Sequence, residues 1–361
     1  MKRTAILLIT MLVLCLSAFG CSTGGEEESS SESSSGSSPS NAQPSSNGDN
    51  NGESPFPEGT AENHLTGLAV KSDYQNKRPV AVMINNIKQA QPLLGISKAD
   101  VLYECVVEGG ITRLMAVYQD VREVPVIGSI RSARPYYVYL ASGLDAVYMH
   151  IGSSTQAQEL LNARVVDSFN LGTSMFWRDA TRRANLGYEH SAVTSGELLI
   201  NGMNAAGTRT DMKDGYQYPN SFGEQSPVTK GETATKLTAK FSSYKSTDFS
   251  YDSEKQTYLV SQFGAAQMDG DAGVQNSKQN VIVIKANTYA LGDSSGHMDV
   301  DVIGSGKGYY MSRGKIIPIT WSKPSASKPT AYQTENGGAL TMLPGQSYVC
   351  VVPLGDTVSY Q

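Results

Sequence analysis

Residues 78–120, RPVAVMINNIKQAQPLLGISKADVLYECVVEGGITRLMAVYQD, decide the fold of this chain. Within them PVAVMINN (79–86), VLYECVVE (101–108) and ITRLMAVY (111–118) are short runs of β-branched, aromatic and other apolar residues, the composition of strands. The last two runs are joined through Glu108-Gly109-Gly110, which predicts a tight hairpin turn. The residues after this hairpin predict helices. Ser153 with Gln156 precedes AQELLN, and Thr194 with Glu197 precedes LLINGM, both in the spacing of a capping box. A further helix is expected from Ser132, with Pro135 in its first turn, and residues 145–151 read as a strand.

Beyond residues 211–227, DMKDGYQYPNSFGEQSP, the texture changes. TKLTAKFSS, TYLVSQ, NVIVIKA, MDVDVIG, GYYMSRG, IIPITWSK, PTAYQT, ALTML and SYVCVVP follow one another, separated by Gly- and Asn-rich turns. Short, evenly punctuated strands of this kind argue for a largely β unit. A body of this length exceeds what one core usually holds. The expectation is an α+β protein: a mixed α/β-textured N-terminal domain over 64–220 and a predominantly β C-terminal domain over 221–361.

The chain opens Met1-Lys2-Arg3, followed by an apolar run to Leu16 and then Ser17-Ala18-Phe19-Gly20-Cys21. A basic start, a short apolar stretch and small residues before a cut form the secretory pattern over 1–20. The run is shorter than the ~20 residues a membrane-spanning helix needs. Cys21 after Ala18-Phe19-Gly20 resembles the bacterial lipobox, which implies a diacylglyceryl group on the thiol and a chain anchored to the membrane by lipid. Residues 22–63 are Ser, Gly, Glu, Asn and Pro with almost nothing apolar, so they predict a disordered tether, with a reach of roughly 35 Å. This stretch holds 8 of the 34 acidic residues and none of the 29 basic ones. The body is therefore close to neutral, which argues against nucleic acid as a partner. Cys105 and Cys350 sit in apolar surroundings and read as buried free thiols.

Several blocks together resemble the YerB-like lipoprotein family, most of whose members have no determined function. They are the opening segment 78–120, IGSIRSARPYY (127–137), YMHIGSS (148–154), and GSGKGYYMSRGK, ITWSK and NGGALTMLPGQSYV near the end. The resemblance covers about residues 65–361 and implies an α+β domain with a β-rich partner on the extracytoplasmic face of the membrane. It carries over no established activity. The family's Arg-rich stretch leading to Pro-His-Asn corresponds here to Trp177–Arg183 followed by Gly187-Tyr188-Glu189-His190-Ser191. His190 is the candidate match, without the flanking Pro and Asn.

Candidate chemistry centres on Gly128-Ser129-Ile130-Arg131-Ser132-Ala133-Arg134 before a predicted helix. A helix N-terminus offers free N–H groups to an anion, and Arg131 and Arg134 can clamp carboxylate or phosphate. The plainer reading is that they pair with Glu104, Glu108 or Asp145 to hold the domain together. Glu104 and Glu108 would share one side of a regular strand, near Arg113, and His150 precedes Gly152-Ser153-Ser154. The sequence contains no GxSxG elbow and no HExxH helix. With four histidines in all, a metal centre is not expected, nor is a cofactor. Two readings follow. The preferred one is a non-catalytic envelope protein that binds an anionic wall component or a partner protein through Glu104, Glu108, Arg113, Arg131, Arg134, His150, Arg178 and His190. The alternative is a cell-wall polymer hydrolase using Glu104 or Glu108 with His150.

Overall fold

The computed structural model describes residues 55–361; Cys21, the segment 1–20 and residues 22–54 lie outside them. Val101–Val106 and Thr112–Tyr118 form the expected antiparallel hairpin, with Val106 opposite Thr112. Val80–Asn86 pairs antiparallel on the far side of Thr112–Tyr118. All three strands are buried along their whole length, because both faces of the sheet are covered there.

Around this hairpin the chain builds one eleven-stranded sheet. Its order is Glu232–Thr233, Lys315–Lys323, Gly304–Ser312, Asn280–Ala286, Ser347–Pro353, Val101–Val106, Thr112–Tyr118, Val80–Asn86, Val147–His150 and Ser168–Asn170. Ala331–Thr334 also pairs with Lys315–Lys323. The N-terminal and C-terminal regions meet inside this sheet, where Ser347–Pro353 runs parallel to Val101–Val106. The four α-helices among the described residues, Pro135–Gly143, Thr155–Asn162, Ala180–Leu186 and Gly196–Ala205, all belong to the N-terminal half. The C-terminal half is built of strands, so the molecule is α+β with a β-rich C-terminal part.

A second sheet, ordered Ala265–Ala266, Thr257–Gln262, Ser246–Asp252, Lys236–Lys240 and Val358–Tyr360, covers one face of the large sheet through Phe249 and Tyr348, whose rings lie 5.1 Å apart. The Pro135–Gly143 helix covers the other face; its Tyr137 hydroxyl accepts from the Cys105 N–H at 2.8 Å and donates to the Arg113 carbonyl at 2.6 Å. The alternation of the strand thus sends Cys105 toward the helix. Cys350, the register partner of Glu104, points toward the second sheet. Both thiols are free and buried, and their placement on opposite faces rules out a bond between them.

Local details differ from expectation in three ways. The helix caps sit one or two residues later: Ser154 Oγ accepts from the Ala157 N–H, Ser195 Oγ from the Leu198 N–H, and Arg134 precedes Pro135. Ser153 and Thr194 are engaged elsewhere, with Gln158 and the Met175 carbonyl. Thr60–Glu62 pairs with Ala69–Lys71, so folded structure begins within the expected tether, secured by the Asn63 amide on Asp100 at 2.9 Å. Ser246–Asp252, absent from the expected strands, is a full member of the second sheet.

Candidate functional site

Val80–Asn86, Val101–Val106, Val147–His150 and Ser168–Asn170 all point the same way. In open sheets the carboxyl ends of such strands are where ligands settle, since the connecting loops diverge there. Here that edge is formed by Asn85, Glu108, Arg113, His150 and Asn170, and segment 128–134 crosses it. The segment is held by backbone bonds: the Asn85 N–H to the Ser129 carbonyl, the Arg131 N–H to the Met83 carbonyl, and the Ala133 N–H to the Gly152 carbonyl. An arginine-bearing loop is thereby mounted on two neighbouring strands at once.

Two linked clusters result. In the first, the Glu108 carboxylate lies between two guanidiniums. Arg113 Nη2 reaches it at 2.6 Å, and Arg134 contacts it through Nε at 3.0 Å and Nη2 at 2.5 Å. Arg113 also donates to the Ser132 carbonyl at 2.6 Å. Burial, with Arg134 alongside, pulls Arg113 down to about 10. Burial alone would raise the Glu108 carboxyl, yet Arg113 and Arg134 hold it below its ordinary value. His150 bonds the Gly152 carbonyl through Nδ1 at 2.8 Å, which places the ring proton on that nitrogen, and burial lowers its pKa.

The second cluster begins at Asn85, the cross-strand partner of Arg113. Its amide nitrogen lies 3.0 Å from His190 Nδ1. Glu189 pairs with Arg131 at 3.1 Å, which holds the Glu189 carboxyl below its usual range. Arg178 donates to the Tyr188 carbonyl at 2.8 Å and lies over the Tyr188 ring, 3.9 Å from its centroid. Arg182 is spent on the backbone carbonyls of Ala90, Pro92 and His190. Burial, then the Arg131 charge, lowers the His190 pKa.

Seven of the eight sequence-predicted residues therefore share this edge, and Glu104 does not. The strand ends at Val106, and residues 108–110 form a single 3-10 turn with Gly109 at φ 62°. That turn swings Glu108 to the helix face. Glu104, still inside the strand, faces the second sheet. There it is fully buried and accepts from Asn86 at 2.8 Å, Thr112 at 2.6 Å, Thr247 at 2.7 Å and Tyr348 at 2.7 Å. Lys245 Nζ stands 3.2 Å from its carboxylate. The arginines pair with Glu108 and Glu189, not with Glu104 or Asp145; Asp145 is bound by Arg78, Arg209 and Lys213 at the other end of the sheet.

Sequence reasoning missed Asn85, Arg182 and Lys245. A signal for the first was present: two amides, Asn85 and Asn86, close an otherwise apolar run, and polar groups there must find partners. Among the described residues no group of three or more His, Cys, Asp or Glu side chains has an arrangement that could hold a metal ion. No helix among them is long and apolar enough to cross a membrane.

Fold and edge together define a class: a helix-covered sheet whose two halves come from separate stretches of chain, with an arginine-rich rim at the carboxyl ends of its strands. The chain belongs to the YerB-like family. The family models that match are described as "Protein of unknown function (DUF3048) N-terminal domain", over residues 65–209, and "Protein of unknown function (DUF3048) C-terminal domain", over residues 237–349. A relative from Bacillus subtilis (strain 168), named "Putative lipoprotein YerB", is 28% identical over 302 residues, covering 82% of this chain and 87% of its own. The crystal structure of the YerB protein from Bacillus subtilis superposes with a TM-score of 0.73 at 27% identity, covering 83% of this chain and 99% of that one.

Proposed function

We propose that this chain is a lipoprotein anchored through Cys21 on the extracytoplasmic face of the membrane, which binds an anionic cell-wall component along the arginine rim. One observation carries the reading. Arg113, Arg131, Arg134, Arg178 and Arg183 crowd an edge whose carboxylates are Glu108 and Glu189. Guanidinium in excess of carboxylate suits a ligand bearing phosphate or carboxylate groups. The relative's name supports the lipid anchor. The hydrolase alternative needs Glu104 or Glu108 beside His150. Glu104 faces the other side of the sheet, and Glu108 is held ionised by two arginines, a poor state for a general acid.

The test is calorimetric titration with a glycerol phosphate oligomer, comparing the wild-type body with the Arg131→Ala/Arg178→Ala double variant. Binding is expected to weaken roughly tenfold in the double variant and to fall with added salt. Equal affinity in both proteins would sink the rim as the binding surface. In cells, Cys21→Ala is expected to move the chain out of the membrane fraction.

A further inference from the structure

On the other side of the Trp177–Arg178 strand lies an open groove of about 510 Å³. Its floor is apolar, made by Pro92, Leu94 and Val126. Gly270 closes one side, packed so tightly that a Cβ there would stand 2.8 Å from Pro92 Cγ. Trp177 lines the groove and is 39% exposed, so part of the indole is open to a ligand. Around the floor stand Thr181, Asn185 and Asp271.

The chemistry of this rim is specific. The Trp177 indole N–H, the Thr181 hydroxyl, the Asn185 amide and the Asp271 carboxylate have no hydrogen-bond partner among the described residues. Its cation, Arg182, is already engaged by three backbone carbonyls. The groove therefore offers an aromatic face, uncommitted donors and carboxylate acceptors, and no free positive charge of its own. An anion gains nothing there. A neutral polyol with an apolar face and a rim of hydroxyls fits each element: C–H groups against the indole, hydroxyls donating to Asp271, and a ring hydroxyl or amide oxygen accepting from Asn185. The volume lies within the range of small-ligand clefts.

We propose that the Trp177 groove is a saccharide-binding site for a neutral glycan segment, separate from the anion rim and independent of it. The chain has two tryptophans, and the second, Trp321, is buried with its N–H on the Lys285 carbonyl at 3.1 Å. A change in tryptophan emission on filling the groove therefore reports on Trp177, above the emission of the buried Trp321.

The probe is a neutral N-acetylglucosamine tetramer titrated into the folded body, followed by emission and by calorimetry. A saturable blue shift is expected in the wild type. Trp177→Ala should abolish the shift and weaken calorimetric binding roughly tenfold, as loss of an aromatic anchor does. Trp177→Phe should keep most of the affinity, and Asn185→Ala should fall between. The Arg131→Ala/Arg178→Ala variant should bind the tetramer as well as the wild type does, which separates this site from the rim. Absence of any saturable response, or equal binding by wild type and Trp177→Ala, overturns the proposal. So does saturation of the groove by an apolar peptide but not by the saccharide, which would assign it to a protein partner.

Discussion

Glu104 and Glu108 stand four positions apart, one within a strand of the central hairpin and one in its turn, and each meets cations in a different setting. Glu104 lies between two sheets with no exposure, opposite a Lys245 that is equally buried. Its hydrogen bonds join the N-terminal half, through Asn86 and Thr112, to the C-terminal half, through Thr247, Gln262 and Tyr348. Glu108 has a side chain 25% exposed and neutralises guanidiniums at the sheet's open edge. An interior pair of this kind is architecture, because nothing from solvent can replace either partner. At the edge a ligand anion can do what Glu108 does, so the same residue type there tunes binding.

The largest break in this comparison comes from Glu104→Ala. It strands the Lys245 ammonium in the interior, where burial already lowers its pKa, and removes the partner of five hydroxyl and amide groups. Loss of one member of a buried pair costs about 3–5 kcal/mol, and urea unfolding should show a shift of that size. Glu104→Met with Lys245→Met should recover only part of it, since an apolar pair avoids the stranded charge while the hydroxyl and amide donors still lose their acceptor. A single-variant loss under ~1 kcal/mol would mean that water reaches this network and that the two carboxylates do not differ as described.

Glu108→Gln should act more weakly on stability, about 1–2 kcal/mol, because partial exposure screens the carboxylate. Its effect on binding should have the opposite sign. With the internal anion gone, Arg113 and Arg134 are free to take an external one, and affinity for the glycerol phosphate oligomer should rise severalfold. A fall in affinity would show that Glu108 contacts the ligand and does not compete with it.

Much of this contrast was legible locally and part of it was not. The hairpin could be read because its strands are continuous apolar runs, buried on both faces. The rim could be read in outline because Arg131, Arg134 and His150 sit beside glycines and serines at the ends of such runs. Ser246–Asp252 escaped notice because Phe249 and Tyr251 are the only large apolar residues in a run of Ser, Thr and Asp, and its burial is supplied by neighbouring strands. The parallel pairing of residues 347–353 with 101–106 leaves no local trace, so the Lys245 partnership of Glu104 could not be inferred from spacing. The even separation of Glu104 and Glu108 misled for a physical reason: period-two alternation holds only while the strand continues, and this one stops at Val106.

The smallest effect concerns pH, and it separates the edge groups from one another. Burial holds His150 below the ordinary histidine value of 6.5, so beneath that pH the unfolded chain binds more protons than the folded one. Stability is then lost as pH falls through about 6.5, since its slope follows the excess of protons on the unfolded state. His190, also lowered, acts in the same direction. Glu108 is lowered from 4.5 by its two arginines, so its contribution is fully present above that value and is lost only as pH falls beneath it. Thermal unfolding between pH 7 and 5 should therefore show a shallow decline in the wild type and a shallower one in His150→Gln, with Glu108→Gln parallel to the wild type over the same interval. Below pH 4 the order should reverse, Glu108→Gln becoming the less pH-sensitive protein. If His150→Gln declines as steeply as the wild type above pH 5, the imidazole reaches solvent and can be protonated without cost, and the rim is more open at its His150 end than the Gly152 bond implies.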